Sequence, residues 1–459
     1  MEKIIFLLLI SLTSLIQIHK GNITRIPFKY YPTYIFFPSQ THPLTSKYMS
    51  QIVIEIPIGT PSKVFNLSLN LNTFYSLFLS HQLPGIELNS FFNKSSSSTY
   101  NCTKSKKYYY QEDFEEAETF NDVIYFKYKE KSLNYNFNFL LIDGLGYGVP
   151  NEFYASGIVG LRLKNENNYL HVDDIRFLYQ LRKYGLTDTE VFYFDFDEDK
   201  NNDDNGYFVI GEDLFDDTEN FLQIKVGYLY MPTLLTEWSF NFDGVYYGNT
   251  QINQSLDALI KTENGLILGP SDYENIIKQF FNSSGCSSNY TKMGYATYRY
   301  YYCEKDFDEN TMEDLKFELT SINYSFILHG SDLFLEENDK KYFKILFLFY
   351  SKSYYWYLGR DFLKKFRLRF DTERKLIYIP LNKEQEKEKE KDNNEQTGEK
   401  LFYEKEMFWI ICGLSILALG LFIFIVFFLK KYPRKKRMNE VEDDADYDYK
   451  NTEDKDGIN

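Results

Sequence analysis

The chain has 459 residues, 44% of them hydrophobic and 19% aromatic, with a formal net charge of -15. That length allows two lobes plus accessory segments. The apolar share supports large cores, and the acidic balance excludes a nucleic-acid binder, which needs a basic surface. The aromatics are nearly all Tyr and Phe and are read as core and strand material, where those residues are favoured. No function is drawn from them.

In chain order, residues 1–20 carry a lysine and then an apolar run from Ile4 to Ile16, which fits a signal peptide. No small-residue cleavage site is evident, so an uncleaved anchor stays open. Residues 21–48 hold prolines and aromatics without periodicity, and are expected to pad the first lobe rather than to serve as a pro-segment. From Gln51 the pattern is β throughout, with short apolar runs cut by Gly, Asn, Asp and Ser turns. The stretch 51–80 reads as two strands joined by a Gly-Thr-Pro turn. The first sets Ile52, Ile54 and Ile56 on one face, and a polar break at Asn72-Thr73 follows the second. Helical patterns are few, at 173–184, 272–281 and 361–366, so the fold class is mostly β with a few short helices.

The spans 49–220 and 221–381 carry similar signals in the same order. Each has a Thr-containing polar break, Asn72-Thr73 and Lys261-Thr262, followed later by an apolar-apolar-Gly triplet, Ile158-Val159-Gly160 and Tyr357-Leu358-Gly359. That order predicts an internal duplication, two lobes meeting at a cleft.

Past Pro380 the composition changes. Residues 382–406 form a charged stalk with few apolar groups. Residues 407–429 carry no charge and are long enough to span a bilayer. The basic run 430–437 follows at once, and basic residues stay on the cytoplasmic side. The expectation is a single-pass type I membrane protein, with lobes lumenal or extracellular and an acidic cytoplasmic tail at 430–459. Asn22, Asn66, Asn93, Asn101, Asn253, Asn282, Asn289 and Asn323 each open an Asn-X-Ser/Thr triplet, all on the expected lumenal side, and are glycosylation candidates. In an oxidising compartment Cys286 and Cys303 are expected to bridge, which in the chain-entropy model contributes about 3 kcal/mol. Cys102 lies outside that pair and Cys412 inside the apolar span. No Cys/His cluster is present, so neither a metal nor a cofactor is expected.

Several separate stretches carry a resemblance. They are Ile58-Gly59-Thr60-Pro61, SSSSTY at 95–100, Gly157-Ile158-Val159-Gly160-Leu161, GYFVIG at 206–211, the Trp-containing stretch 238–248, Leu266-Ile267-Leu268-Gly269-Pro270, and WYLGRDFLKKFRLRFDTERKLIYI at 356–379. In this order they resemble the pepsin-like aspartic proteases over about 49–381. The resemblance implies a bilobal fold, with Cys286 and Cys303 where the family often carries a second-lobe disulfide. It also implies a cleft in which two carboxylates share one proton, each from an Asp-Thr-Gly loop, under a Gly-rich flap with a Tyr near its tip. Like charges that close cannot both ionise, which separates their pKa values and supplies an acid and a base.

This chain departs from that pattern at both loops. The second reads Lys261-Thr262-Glu263. The first reads Asn72-Thr73-Phe74, which keeps a threonine, or, counted forward from Pro61 without a gap, Asn70-Leu71-Asn72, which keeps none. Neither register supplies an acid, since an amide takes no proton from water and an ammonium has the wrong charge. The stretch matching the flap, 110–124, begins with Tyr110 and has no glycine. Its acids, Glu112, Asp113, Glu115, Glu116 and Glu118, read as an exposed acidic loop, or more sharply as a lid paired with Lys261. The expectation is therefore a degenerate member of that family: a membrane-anchored pseudoprotease that binds peptide or protein in its cleft, with Lys261 favouring an acidic or C-terminal group. The rivals are an active aspartic endopeptidase using a displaced acid, Glu263 or Asp257, and a glycosylated surface coat or adhesion protein.

Overall fold

Ile52, Ile54, Ile56 and Ile58 are buried while Glu55 between them is exposed, so the alternation in the sequence is that of a half-covered strand. The computed structural model describes residues 23–31, 44, 50–80, 91–104, 114–128, 131–145, 155–163, 175–196, 205–211, 221–227, 237–252, 256–293, 296–350 and 353–381. The expected signal segment, stalk, membrane span and tail lie outside these. Among the described residues no helix is long and apolar enough to cross a membrane.

The first half runs β1 (Thr24–Tyr31), β2 (Gln51–Ile58), β3 (Lys63–Asn70), β4 (Leu77–Leu79), β5 (Asn101–Lys104), β6 (Phe114–Tyr128), β7 (Lys131–Leu145), β8 (Gly157–Gly160), helix α1 (Phe177–Lys183), β9 (Val191–Phe196), β10 (Asn205–Ile210) and β11 (Phe221–Lys225). The second runs β12 (Ser239–Asn241), β13 (Gly244–Tyr247), β14 (Thr250–Gln251), β15 (Asp257–Ile260), β16 (Ile267–Leu268), α2 (Ser271–Ser283), β17 (Ser287–Met293) and β18 (Ala296–Glu304). It continues with β19 (Leu315–Leu319), β20 (Tyr324–Leu328), β21 (Phe334–Glu337), β22 (Lys340–Phe343), β23 (Ile345–Leu348), β24 (Trp356–Leu358), α3 (Arg360–Phe366), β25 (Arg369–Asp371) and β26 (Leu376–Pro380). Among the described residues the fold is mostly β, and the short helices α1, α2 and α3 fall where apolar spacing predicts helices.

A 13-stranded sheet has the order β11-β26-β25-β9-β10-β1-β2-β3-β8-β4-β7-β6-β5. The strands β25 and β26 thus enter the sheet of the first half through β9. A nine-stranded sheet, β12-β15-β24-β16-β23-β18-β22-β21 with β17 attached to β18, and a four-stranded sheet, β14-β13-β19-β20, make up the rest. Aromatic rings fill the interior at edge-to-face and tilted angles. Phe78 meets Phe139 at 4.9 Å and Phe92 meets Phe120 at 4.8 Å in the first half, and Phe317 meets Trp356 at 5.0 Å in the second.

Residues 21–48 are only partly described. β1 pairs with β10 and β2, in the sheet of the first half. Leu44, however, is buried against second-half residues, among them Leu266, Leu268 and Tyr298. The disulfide Cys286–Cys303 is formed and closes the base of the β17–β18 hairpin. Of the sequons, Asn101, Asn282, Asn289 and Asn323 are exposed and Asn66 and Asn93 are half-buried, while Asn22 and Asn253 lie outside the described residues. No group of metal-binding side chains occurs among the described residues.

Burial pushes the hydroxyls of Tyr247, Tyr301 and Tyr324 up to about 12, and that of Tyr273 well above its usual value. Each holds its proton in the folded chain past the point, about pH 10, where an unfolded tyrosine loses it. Their stabilising effect is complete below about pH 10 and is lost as the pH rises through the folded values. Thermal unfolding should show a melting temperature that falls steeply above about pH 10, and Tyr273→Phe with Tyr301→Phe should make that fall shallower.

Candidate active site between two loops

Two parallel strand pairs set the site. β3 lies beside β8 with Asn70 opposite Gly160, and Leu161 N–H donates to Asn70 O at 2.9 Å. β15 lies beside β24 with Ile260 opposite Leu358, and Lys261 N–H donates to Leu358 O at 3.0 Å. Each apolar-apolar-Gly triplet ends where the loop after the partner strand folds back over it. A Cβ on Gly160 would sit 2.6 Å from Thr73 O and 2.5 Å from Tyr75 O. One on Gly359 would sit 2.6 Å from Asn264 O and 2.1 Å from Leu266 O. Both glycines are required by this close backbone approach.

The same contacts align the loops with each other. Thr73 and Tyr75 on one side match Asn264 and Leu266 on the other, which places Asn70 with Lys261, Leu71 with Thr262 and Asn72 with Glu263. Of the two registers open from the sequence, the ungapped one follows these contacts. Thr73 lies three residues past Asn70, where its N–H and that of Asn72 donate to Asn70 Oδ1 at 3.0 and 2.7 Å.

One threonine ties the loops together. Thr262 is fully buried, and its Oγ1 donates to Leu69 O at 3.0 Å and accepts from Leu71 N at 3.3 Å, so its two bonds straddle Asn70. Leu71 occupies the matching place on the first loop and has no hydroxyl to return the bonds. A second tie lies close by, where Trp238 Nε1, on a fully buried ring, donates to Leu161 O at 2.8 Å. Behind the first loop the Arg176 guanidinium lies 5.6 Å from the Phe74 ring and donates to Glu190 Oε2 at 2.6 Å in a buried pair. Thr372 bonds the same carboxylate at 2.8 Å.

The polar side chains facing one another form a closed set. Lys261 Nζ donates to Asn72 Oδ1 at 2.6 Å, and Asn72 Nδ2 donates to Glu263 Oε1. Lys261 Nζ is also 3.9 Å from Glu263 Oε1, with side-chain exposures of 14% and 31%. This pair is therefore less screened than a surface ion pair. Tyr357 lies on its flank, its ring 5.9 Å from Lys261 Nζ. Glu263 Oε2 is buried with no hydrogen-bond partner among the described residues. Glu263 is the one carboxylate of these two loops. Asp257 sits at the far end of β15, held by Asn241 Nδ2 at 2.6 Å.

Tyr110, Glu112 and Asp113 lie outside the described residues. The remainder of the expected flap, 114–124, is the first part of β6, which pairs with β7 along most of its length and with β5. The side chains of Glu115, Glu116 and Glu118 also lie outside the described residues, and the described partners of Lys261 are Asn72 and Glu263. Within β6, the fully buried Asp122 accepts from Thr99 Oγ1 at 2.5 Å, Ser97 Oγ at 3.1 Å and Val123 N at 2.8 Å. Sequence reasoning picked out the SSSSTY run but missed this anchor. It also missed the bridging role of Asn72, because the bond to Glu263 spans 191 residues and leaves no local signal.

Thr262→Val should strand Leu69 O and Leu71 N–H in a buried place and cost about 2 kcal/mol. Thr262→Ser, which keeps the hydroxyl, should cost well under half of that, both read from denaturant unfolding. Gly160→Ala should cost about 1–3 kcal/mol by overpacking backbone that cannot swing aside, measured the same way.

No curated protein matches the chain. The family model for eukaryotic aspartyl protease matches residues 51–380, from the start of β2 to the end of β26 and including both loops. The chain belongs to the eukaryotic aspartyl protease family.

Proposed function

We propose that the chain is a membrane-anchored pseudoprotease that has lost the catalytic dyad and keeps the inter-lobe cleft as a groove for peptide or protein. The observation that supports this reading is that the matching places of the two aligned loops hold Asn70 and Lys261, neither of them an acid. Peptide hydrolysis by this family needs one carboxylate to take a proton from water while another gives one to the carbonyl oxygen. The Asn70 amide accepts the N–H groups of its own loop, as a carboxylate oxygen would, but exchanges no proton. Lys261 brings a cation. Glu263 could supply at most one half of the exchange, and it is engaged by Asn72 and Lys261.

Ligand recognition follows from what remains. An extended peptide between β lobes is held by backbone hydrogen bonds and side-chain pockets. An acidic side chain or C-terminal carboxylate would take Lys261 in exchange for Glu263. The apolar span 407–429 with basic residues behind it supports anchoring with the lobes lumenal or extracellular. The Cys286–Cys303 disulfide suits an oxidising compartment.

The purified chain, assayed from acidic to neutral pH against a mixed peptide library, should show no cleavage sensitive to a statine-type transition-state mimic. Cleavage that the mimic blocks would overturn the reading. In a peptide-array binding experiment acidic or C-terminal ligands should be enriched, and Lys261→Ala should weaken them about tenfold, a loss of about 1.4 kcal/mol. Binding indifferent to that substitution would remove Lys261 from recognition.

A further inference from the structure

Lys261, Asn72 and Glu263 make more than an ion pair with a bridge. They bring together an amine, a carboxamide and a carboxylate: a nucleophile, an acyl group and a base beside them. Lys261 Nζ lies 2.6 Å from Asn72 Oδ1. One carbonyl bond of about 1.2 Å separates that oxygen from Cγ. A small turn of the amide plane therefore brings the amine to the roughly 3–3.5 Å from which a nucleophile attacks. The orientation of the amide is fixed by its neighbours, because an ammonium only donates and a carboxylate only accepts. Asn72 Nδ2, the leaving group of such an attack, thus faces Glu263 Oε1.

The surroundings hold these groups together. The Lys261 and Glu263 side chains are 14% and 31% exposed, with Nζ 3.9 Å from Oε1, and the Tyr357 ring closes the flank. Glu263 Oε2 is buried with no hydrogen-bond partner among the described residues, so this carboxylate keeps an oxygen for proton exchange. Thr262 fastens the loops by bonding the backbone on either side of Asn70. Asn70 itself is not the acyl group, since its Oδ1 is occupied by the N–H groups of Asn72 and Thr73.

We infer that Lys261 and Asn72 condense into an isopeptide bond, which joins the two halves of the chain covalently across 189 residues. The bond from Lys261 Nζ to Asn72 Cγ forms, and the bond from Cγ to Nδ2 breaks. Nζ gives up two protons in becoming an amide nitrogen, and Nδ2 takes up two and departs as ammonium. Glu263 passes the protons from one nitrogen to the other and ends as the carboxylate it began as. Nothing is oxidised or reduced, and no further reactant is needed. One turnover per chain suffices, and escape of ammonia to solvent makes it permanent. The reaction uses the same loops as the proposed groove but does not rest on ligand binding. The two compete for one amine, so an acidic ligand meets the Lys261 cation only in chains not yet condensed.

Tandem mass spectrometry of a tryptic digest of the full chain should find one branched peptide joining the Asn72 and Lys261 segments. It should be lighter than their sum by one ammonia, and trypsin should not cut after Lys261, whose amine is then an amide. Lys261→Arg, which keeps the charge, and Asn72→Ala should each give two separate peptides. Glu263→Gln should do the same, because it leaves amine and amide in place and removes the base. Near-ultraviolet circular dichroism matching that of the wild type checks that each variant folds. Recovery of the two segments only as separate peptides from the folded wild-type chain would overturn the inference. So would a Glu263→Gln chain that condenses as completely as the wild type. The masses are read without any ligand, so a missing cross-link leaves the peptide-binding reading standing, and missing peptide binding leaves the cross-link standing.

Discussion

One buried hydroxyl bonds both sides of the first loop from the second. Thr262 Oγ1 reaches the backbone on either side of Asn70, across 191 and 193 residues of chain. Both backbone groups are buried, so without the hydroxyl each would be left unpaired at a cost comparable to a lost hydrogen bond. The parallel pairs β3–β8 and β15–β24 carry the two loops to this point. Gly160 and Gly359 let each loop close over its neighbour, since a methyl group at either position would collide with carbonyl oxygens. The geometry of the site thus rests on backbone approach and on one side-chain hydroxyl, and none of this needs an acid.

That separation explains how such a centre can persist with other side chains. Two carboxylates held close repel unless they share a proton. Asn72, Lys261 and Glu263 instead join through hydrogen bonds and an ion pair of opposite charges in a half-shielded place. On the proposed reading, the exchange of a proton-sharing pair for this set removes a source of electrostatic strain that active sites retain for function. Around the loops Trp238 bonds across to Leu161, and Arg176, Glu190 and Thr372 form a buried polar cluster behind the first loop.

Much of the scaffold was legible residue by residue. Ile52, Ile54 and Ile56 alternate as a strand must, the three helices fall where apolar spacing places them, and the two apolar-apolar-Gly triplets mark where loops turn back. The second loop was readable because Gly269-Pro270 lies close behind it and fixes the count. The first loop was not. Threonine at position 73 invited a register that kept a Thr, while the contacts of Thr262 and Gly160 select Asn70. Leu44 also eluded a linear reading. It sits in a segment without periodicity, and its burial depends on second-half residues more than 200 positions away.

By itself the sequence determined the β class, the duplicated order of its signals, the family likeness and the absence of an aspartate at either loop. These are written in periodicity, spacing and residue chemistry, which act over a few neighbouring positions. Only the tertiary structure decided which asparagine holds the place matching Lys261, that Thr262 ties the loops, and that Asn72 bridges Lys261 and Glu263. The physical reason is the same in each case: hydrogen bonds of about 3 Å and the room for a single methyl group depend on where distant strands bring their backbones, and no local pattern records that.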